Sequence, residues 1–246
     1  PLEDVVEDLR MAREYYRDYL VRRIFLADGD ALICKTDDLL YVMGEAKRLF
    51  PENERITMYG APKDILLKSH EDLVRLRDAG LEMVYVGAES GDDGVLEYVQ
   101  KGATHAEIAE AGKKLKKAGI KVSVTLISGL GGREHLESHA VNSAKLISEM
   151  NPDYVGFLTL LLESGAPMYE ELRTGKFRYL TPKETMEELK LFIKNVDSEG
   201  TVFRSNHASN YISLAGTFNK DNERLLAQIE QAEKRNVYKP EYYRGL

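Results

Sequence analysis

Three short clusters hold the ligand-directing side chains of this chain, and each follows an apolar run. Asp28-Gly29-Asp30 follows residues 24–27, and Gly87-Ala88-Glu89-Ser90-Gly91 follows residues 83–86. Gly129 follows residues 121–127, where Ser123, Thr125 and Ile127 alternate with Val122, Val124 and Leu126. Carboxylates and hydroxyls set among glycines can meet the hydroxyls or ammonium of a ligand while small neighbours let it approach the backbone. Gly, Asp and Ser also build ordinary turns around a solvated acid, and both readings stand at this level.

Several other chemistries are excluded by spacing. Gly129-x-Gly131 is followed by Glu134 where a dinucleotide fingerprint has its third glycine, and no Gly-Lys-Ser/Thr closes a glycine-rich loop. His135 and His139 are four apart, but Leu136 stands where a zinc protease has glutamate; the pair reads as polar residues on an exposed helix face. Gly-x-Ser-x-Gly is absent, and no Ser/His/Asp set stands out. Cys34 reads as a small buried or half-buried residue.

The elements that must position these clusters follow from periodicity. Residues 2–20 have helical apolar spacing (Val5, Val6, Leu9, Ala12, Tyr16, Leu20). A helix over 37–49 has Thr36 as its expected N-cap, and Ser69 caps one over 70–79 with Gly80 as its stop. Thr104/Glu107 and Thr181/Glu184 have capping-box spacing, the latter with Pro182 at the first helical position. Further helices are expected over 133–150 and 220–234, and strands over 24–27, 55–59, 83–86, 121–127, 153–160 and 201–204. Strand and helix repeat about every 30 residues, the pattern of parallel βα units. In a barrel, the apolar face of 121–127 would meet the helices and the small polar face would line the lumen.

Composition bounds the class. The 246 residues are 43% hydrophobic and 30% charged, those of an ordinary globule able to bury a substantial core. A net charge of -7 argues against a dedicated nucleic-acid binder. No apolar run reaches the roughly 20 residues of a membrane helix. The one cysteine excludes an internal disulfide framework and fits a reducing cytoplasm.

Taken together, Asp28-Gly29-Asp30, Gly60-Ala61-Pro62, Glu89-Ser90, Ser123/Thr125 with Gly129, and residues 157–160 resemble the strand ends of radical S-adenosylmethionine (SAM) enzymes. The resemblance covers residues 1 to about 200 and implies a partial (β/α)6 TIM-like barrel, with 201–246 as a C-terminal extension packed on it. It implies that Asp28, Gly29 and Asp30 hold the SAM ammonium. Gly87-Ala88-Glu89-Ser90 is similar to the motif that meets the ribose and methionine ends. Thr125-Leu126-Ile127-Ser128-Gly129 resembles Gly-x-Ile-x-Gly, which packs on adenine, with Thr125 in place of the first glycine. Ser123, Thr125 and Phe157 would add contacts in the lumen. Residues 99–104 and 203–210 also look like stretches found in members of this superfamily.

The implied function is reductive cleavage of SAM to a 5′-deoxyadenosyl radical acting on an unknown, small-molecule or other, substrate. An electron donor of flavodoxin or ferredoxin type would serve a 4Fe-4S cluster. Members hold that cluster through Cys-x-x-x-Cys-x-x-Cys after the first strand, and this chain has neither that strand nor that loop. Three thiolates are needed, and Cys34 alone cannot supply them. The expectation is therefore that the sequence starts beyond the loop and that the chain by itself is incompetent for the cluster. A (β/α)8 lyase or isomerase binding phosphate at Gly129-Leu130-Gly131-Gly132, or a non-catalytic ligand-binding remnant, are the alternatives.

Overall fold

The computed structural model describes residues 1–245. In chain order these form α1 (Leu2–Tyr15), β1 (Arg23–Leu26), α2 (Thr36–Leu49), β2 (Arg55–Tyr59), α3 (Pro62–Leu67) and α4 (His70–Asp78). There follow β3 (Leu81–Glu89), α5 (Asp93–Tyr98), α6 (His105–Lys117), β4 (Lys121–Ser128), α7 (Leu136–Met150), β5 (Tyr154–Thr159) and α8 (Pro167–Thr174). The chain closes with α9 (Pro182–Asn195), β6 (Val202–Ser205), β7 (Leu214–Thr217) and α10 (Asn222–Arg235). The seven strands form one sheet in sequence order. β1 pairs with β2, β2 with β3, and β5 with β6 in parallel, whereas β6 and β7 are antiparallel. This is the α/β, partial TIM-like barrel architecture expected from the strand–helix alternation.

The chain divides into two compact units. The first comprises Pro1–Val86 and Glu110–Ser123. Its core includes the fully buried Met43 of α2, Ile56 and Met58 of β2, Leu73 and Leu76 of α4, and Val84 of β3. Each such side chain contributes roughly 1.5–3 kcal/mol of hydrophobic stabilisation. α4 is capped as expected, Ser69 Oγ accepting the Asp72 N–H at 3.0 Å. α1 stops five residues before its apolar spacing does, because the Arg13 guanidinium donates to the carbonyls of Tyr16 and Arg17 at 2.9 and 3.1 Å and ends the helix there. Thr36 is the first residue of α2 rather than its cap; its hydroxyl is drawn to the Asp72 carboxylate.

The second unit comprises Gly87–Ala109 and Val124–Leu246. Four rings build the core around β5 and β6. Phe157 meets Phe192 edge-on at 4.7 Å between centroids and Phe203 at 5.8 Å, while Phe203 stacks on Phe218 at 5.0 Å. α9 opens with a complete capping box between Thr181 and Glu184 and has Pro182 in its first turn. α7 starts at Leu136, later than its sequence pattern, because Gly129 (φ +81°) and Gly132 (φ +59°) hold the preceding chain in turns.

Candidate functional site

β3 ends on the Gly87–Gly91 stretch, and each of its residues has a separate task. Glu89 has φ +64°, a left-handed backbone that costs a residue with a Cβ about 1–2 kcal/mol. Its carboxylate folds back over Gly87, where a Cβ would collide with it, and lies 3.1 Å from Lys101 Nζ. Both side chains of that pair are 23% exposed, so Glu89 is held yet still open to solvent. Gly91 is required by packing: a Cβ there would meet the Asn142 carbonyl carbon and Ser143 Cα at 2.6 Å. The Gly91 N–H donates to Ser143 Oγ at 2.9 Å, and His105 Nδ1 donates to the Gly91 carbonyl at 2.7 Å. This anchoring holds the left-handed turn at Glu89 in place.

Asp92 extends the anchoring. Its Oδ1 caps α5 by accepting the Val95 N–H at 3.0 Å, and its Oδ2 accepts from Asn142 at 2.7 Å. Burial pushes the Asp92 carboxyl up, but the Asn142 amide and the Val95 N–H outweigh it and hold the group below the usual carboxylate range.

Ser90 faces inward. It is buried, accepts the Asp92 N–H at 2.9 Å and lies 2.8 Å from His139 Nδ1. His139 is buried on the face of α7 that also carries Ala140, Ser143, Ala144 and Ile147, so it does not lie on an exposed face as its spacing from His135 suggested. The sequence signal was present, since position 139 falls on the apolar stripe of the helix. Its Nε2 has no hydrogen-bond partner and lies 3.9 Å from Oε1 of Glu188, which is buried on α9. Glu188 Oε2 in turn accepts from the Ser128 hydroxyl and from the Gly129 N–H, the latter at 2.9 Å. Burial pushes the Glu188 carboxyl up, opposed by the His139 charge and by the Ser128 and Gly129 bonds.

β4 keeps its alternation: Ser123, Thr125 and Ile127 are part-exposed between buried Val122, Val124 and Leu126. β5 buries Val155, Phe157 and Thr159, so Phe157 belongs to the aromatic core and not to the part-exposed face carried by Gly156 and Leu158. Beyond β5, Asn210 donates to the Phe157 carbonyl at 2.7 Å and Ser209 Oγ accepts the Thr159 N–H at 3.0 Å. The loop after β6 thus satisfies the end of β5, while Asn206 is exposed.

The glycine-rich loop before α7 faces a cavity of about 520 Å³ bordered by Arg133, Lys176 and Arg178. Arg133 is engaged by Glu184 at 2.7 Å and Lys176 by Glu171 at 2.9 Å. Two of its three cations are thereby committed, which weakens the phosphate alternative.

In the first unit, Asp28 is exposed and turns back to accept the Gly29 N–H at 2.7 Å. Asp30 is half-buried and accepts the Ala61 N–H at 3.2 Å, tying the end of β1 to the end of β2. Burial pushes the Asp30 carboxyl up, helped by contact with the Asp64 carboxyl and opposed by the Ala61 N–H. Asp64 was missed at the sequence level because α3, a six-residue helix that begins at Pro62, is too short to show a periodic pattern. Cys34 is exposed, not buried, at the end of the short 3₁₀ turn Ala31–Ile33.

A three-thiolate iron–sulfur site does not fit these residues. The chain has a single cysteine, and among the described residues no group of three or more His, Cys, Asp or Glu could hold a metal ion. Taken by itself, Glu89 offers a carboxylate that is still partly open to solvent, a group able to accept from a ligand ammonium or hydroxyl. Among the described residues, no helix is long and apolar enough to cross a membrane.

Comparison with known proteins bears on these strand ends. A family model described as the radical SAM superfamily matches residues 1–147. The fold is similar to that of archaeal Methanocaldococcus infernus Elp3 lacking its N-terminal residues, with a TM-score of 0.64 at 17% identity, covering 95% of this chain and 60% of that one. It is also similar to Escherichia coli coproporphyrinogen III oxidase, described as a radical SAM enzyme (TM-score 0.62, 15% identity, 78% of this chain and 44% of that one). A third is Streptococcus suis SuiB bound to S-adenosylmethionine (TM-score 0.55, 11% identity, 85% and 44%). The chain therefore spans at most 60% of the length of these structures. Among curated proteins no match is found.

Proposed function

The chain belongs to the radical SAM superfamily, and on that footing we propose that it is the SAM-holding part of a radical SAM enzyme. The observation that carries this reading is that every strand-end residue from Asp28 to Gly129 lies within the matched span, residues 1–147. Within it, Glu89 is held as an open carboxylate on a left-handed turn. In this superfamily the bound SAM and a 4Fe-4S cluster supply radical chemistry; the substrate and the electron donor are those of the whole enzyme.

The chain's own residues bind and orient. Asp28, Gly29 and Asp30 take the ammonium. Glu89 takes the ribose or methionine end and balances Lys101. Ser123 and Thr125 offer hydroxyls from the part-exposed face of β4, and Ile127 and Gly129 offer the apolar seat for adenine. Ser90 and Phe157 act from behind, Ser90 by anchoring the turn that carries Glu89 and Phe157 by packing the strand. The single cysteine of this chain cannot supply the cluster thiolates, which are proposed to lie outside these residues.

Calorimetric titration of the purified chain with SAM tests the reading. Glu89→Gln should weaken binding by about 1–3 kcal/mol, the loss of one charge-assisted bond. An unchanged affinity removes Glu89 from the site, and the absence of saturable binding by the wild-type chain refutes the reading. Iron uptake by these residues alone equal to that of the complete gene product after anaerobic reconstitution would sink the assignment of the cluster ligands.

A further inference from the structure

A cavity of about 280 Å³ in the second unit is lined by Leu160, Leu180, Pro182, Tyr211, Glu241 and Arg244. Ser128 and Thr159 reach it from the buried parity of β4 and β5, so it opens behind the sheet. The part-exposed face of Ser123, Thr125 and Ile127 is the opposite one. Of the residues assigned to SAM above, only Gly129 borders this cavity.

A buried charge faces its apolar wall. Arg244 is 3% exposed, and its Nε donates to the Ser209 carbonyl at 2.7 Å. The guanidinium lies 3.7 Å over the centre of the Tyr211 ring. The stretch 203–210, which the reading above leaves unused, therefore carries the carbonyl that fixes Arg244, and Tyr211 follows it. The charge is met by Glu241 alone: its Oε2 accepts from Arg244 Nη1, and its Oε1 accepts from the Tyr211 hydroxyl at 2.9 Å. Burial and the bond to Glu241 push the Tyr211 phenol up to about 12, so it stays a donor at neutral pH.

The ion pair is lopsided, with side-chain exposures of 4% for Arg244 and 69% for Glu241. Glu241 opens the short 3₁₀ turn Glu241–Tyr243, and an exposed carboxylate there can swing into water at little cost. The buried guanidinium cannot leave, and left alone it would be an uncompensated charge. At the larger cavity the order is reversed. Arg133 and Lys176 are more exposed than Glu184 and Glu171, so there the cation is the mobile partner.

We propose that this cavity is a binding site for a small organic carboxylate, which takes the place of Glu241 on Arg244 and Tyr211. The geometry selects that class. A guanidinium N–H and a phenol O–H already serve the two oxygens of one carboxylate, so the incoming group must offer the same pair. Leu160, Leu180 and Pro182 call for an uncharged, mainly apolar body, and the volume lies at the lower end of small-molecule sites. One carboxylate exchanges for another, so the charge of the site is unchanged and no proton or electron moves. The inference does not depend on the SAM assignment.

The probe is isovalerate, with isovaleramide as its neutral isostere and phosphate as a plain anion. Each is titrated into the purified chain and followed by nitrogen-15 NMR at the Arg244 side chain. Isovalerate should bind saturably and shift the Arg244 Nε–H; the amide and phosphate should do neither. Glu241→Ala removes the competing carboxylate and should tighten isovalerate binding about two- to fivefold, the worth of an exposed ion pair. Tyr211→Phe keeps the ring under the guanidinium and should weaken binding about two- to tenfold, the worth of one hydrogen bond. Isovalerate should also raise the melting temperature of Glu241→Ala more than that of the wild type, which a merely structural Glu241 would not produce. No saturable isovalerate binding by the wild type overturns the inference. So does an amide or phosphate that binds as tightly as the acid, or a Glu241→Ala variant that binds no tighter. SAM carries a carboxylate of its own: SAM that moves the Arg244 Nε–H as isovalerate does would overturn the cavity as a separate site, and SAM binding that leaves it unmoved supports one.

Discussion

Removing the Glu188 carboxylate separates two ways in which a buried acid can matter. Both of its short hydrogen bonds, from the Ser128 hydroxyl and the Gly129 N–H, converge on Oε2, while Oε1 faces His139 Nε2 at 3.9 Å. Glu188→Gln can place its amide oxygen at the Oε2 position and keep both donors satisfied, losing only the fit of the acid beside His139. The expected loss is about 1–2 kcal/mol. Glu188→Ala leaves the hydroxyl, the N–H and the already unpartnered His139 nitrogen facing a cavity, and should cost about 3–5 kcal/mol. At about 2–4 °C per kcal/mol for a chain of this size, the melting temperature should fall by about 2–8 °C for Gln and about 6–20 °C for Ala. Urea unfolding gives the free energies, and amide exchange at Gly129 gives a local reading. An alanine variant within about 1 kcal/mol of wild type, or a glutamine variant no milder than alanine, would refute the argument.

The pH dependence of that comparison also has a definite sign. Glu188 is raised in the folded chain by burial, so its contribution is complete below its ordinary value of 4.5 and is lost as pH rises through the folded value. The stability difference between wild type and Glu188→Gln should therefore shift against the wild type on raising the pH across that window; a flat difference counts against the burial argument. Gly91→Ala should destabilise by about 1–3 kcal/mol in urea unfolding, because its Cβ meets α7 backbone that cannot yield; a neutral result would mean α7 moves freely. Thr181→Ala removes half of the α9 capping box and should cost about 1 kcal/mol, read from the same unfolding curves.

How much the sequence disclosed follows its periodicities. β4 was legible because Val122, Val124 and Leu126 alternate with smaller polar residues, and the structure keeps that alternation. β5 was legible as a strand over 153–160, but its facing was not, since the polar Thr159 is buried on the same parity as Val155 and Phe157. Ser90 lies one residue past the strand, where alternation no longer predicts direction. α5, α8 and β7 escaped notice: the two helices are one to two turns long, and Leu-Ala-Gly-Thr has no strand pattern. His139 and Glu188 each sit on the apolar stripe of a helix, so their burial could be read from spacing. That they meet could not, because it depends on how α7 and α9 pack.

The left-handed turn at Glu89 has a consequence for which residues this position can keep. Glycine would adopt φ +64° without strain and asparagine with little. Random drift under selection for stability alone would therefore tend to replace glutamate here, and the replacement would fold better than the original. If Glu89 meets a ligand as proposed, folding and ligand chemistry pull in opposite directions at this position. It also supplies a diagnostic: a variant at residue 89 that melts higher than wild type while losing its ligand would show the two demands acting on a single backbone angle.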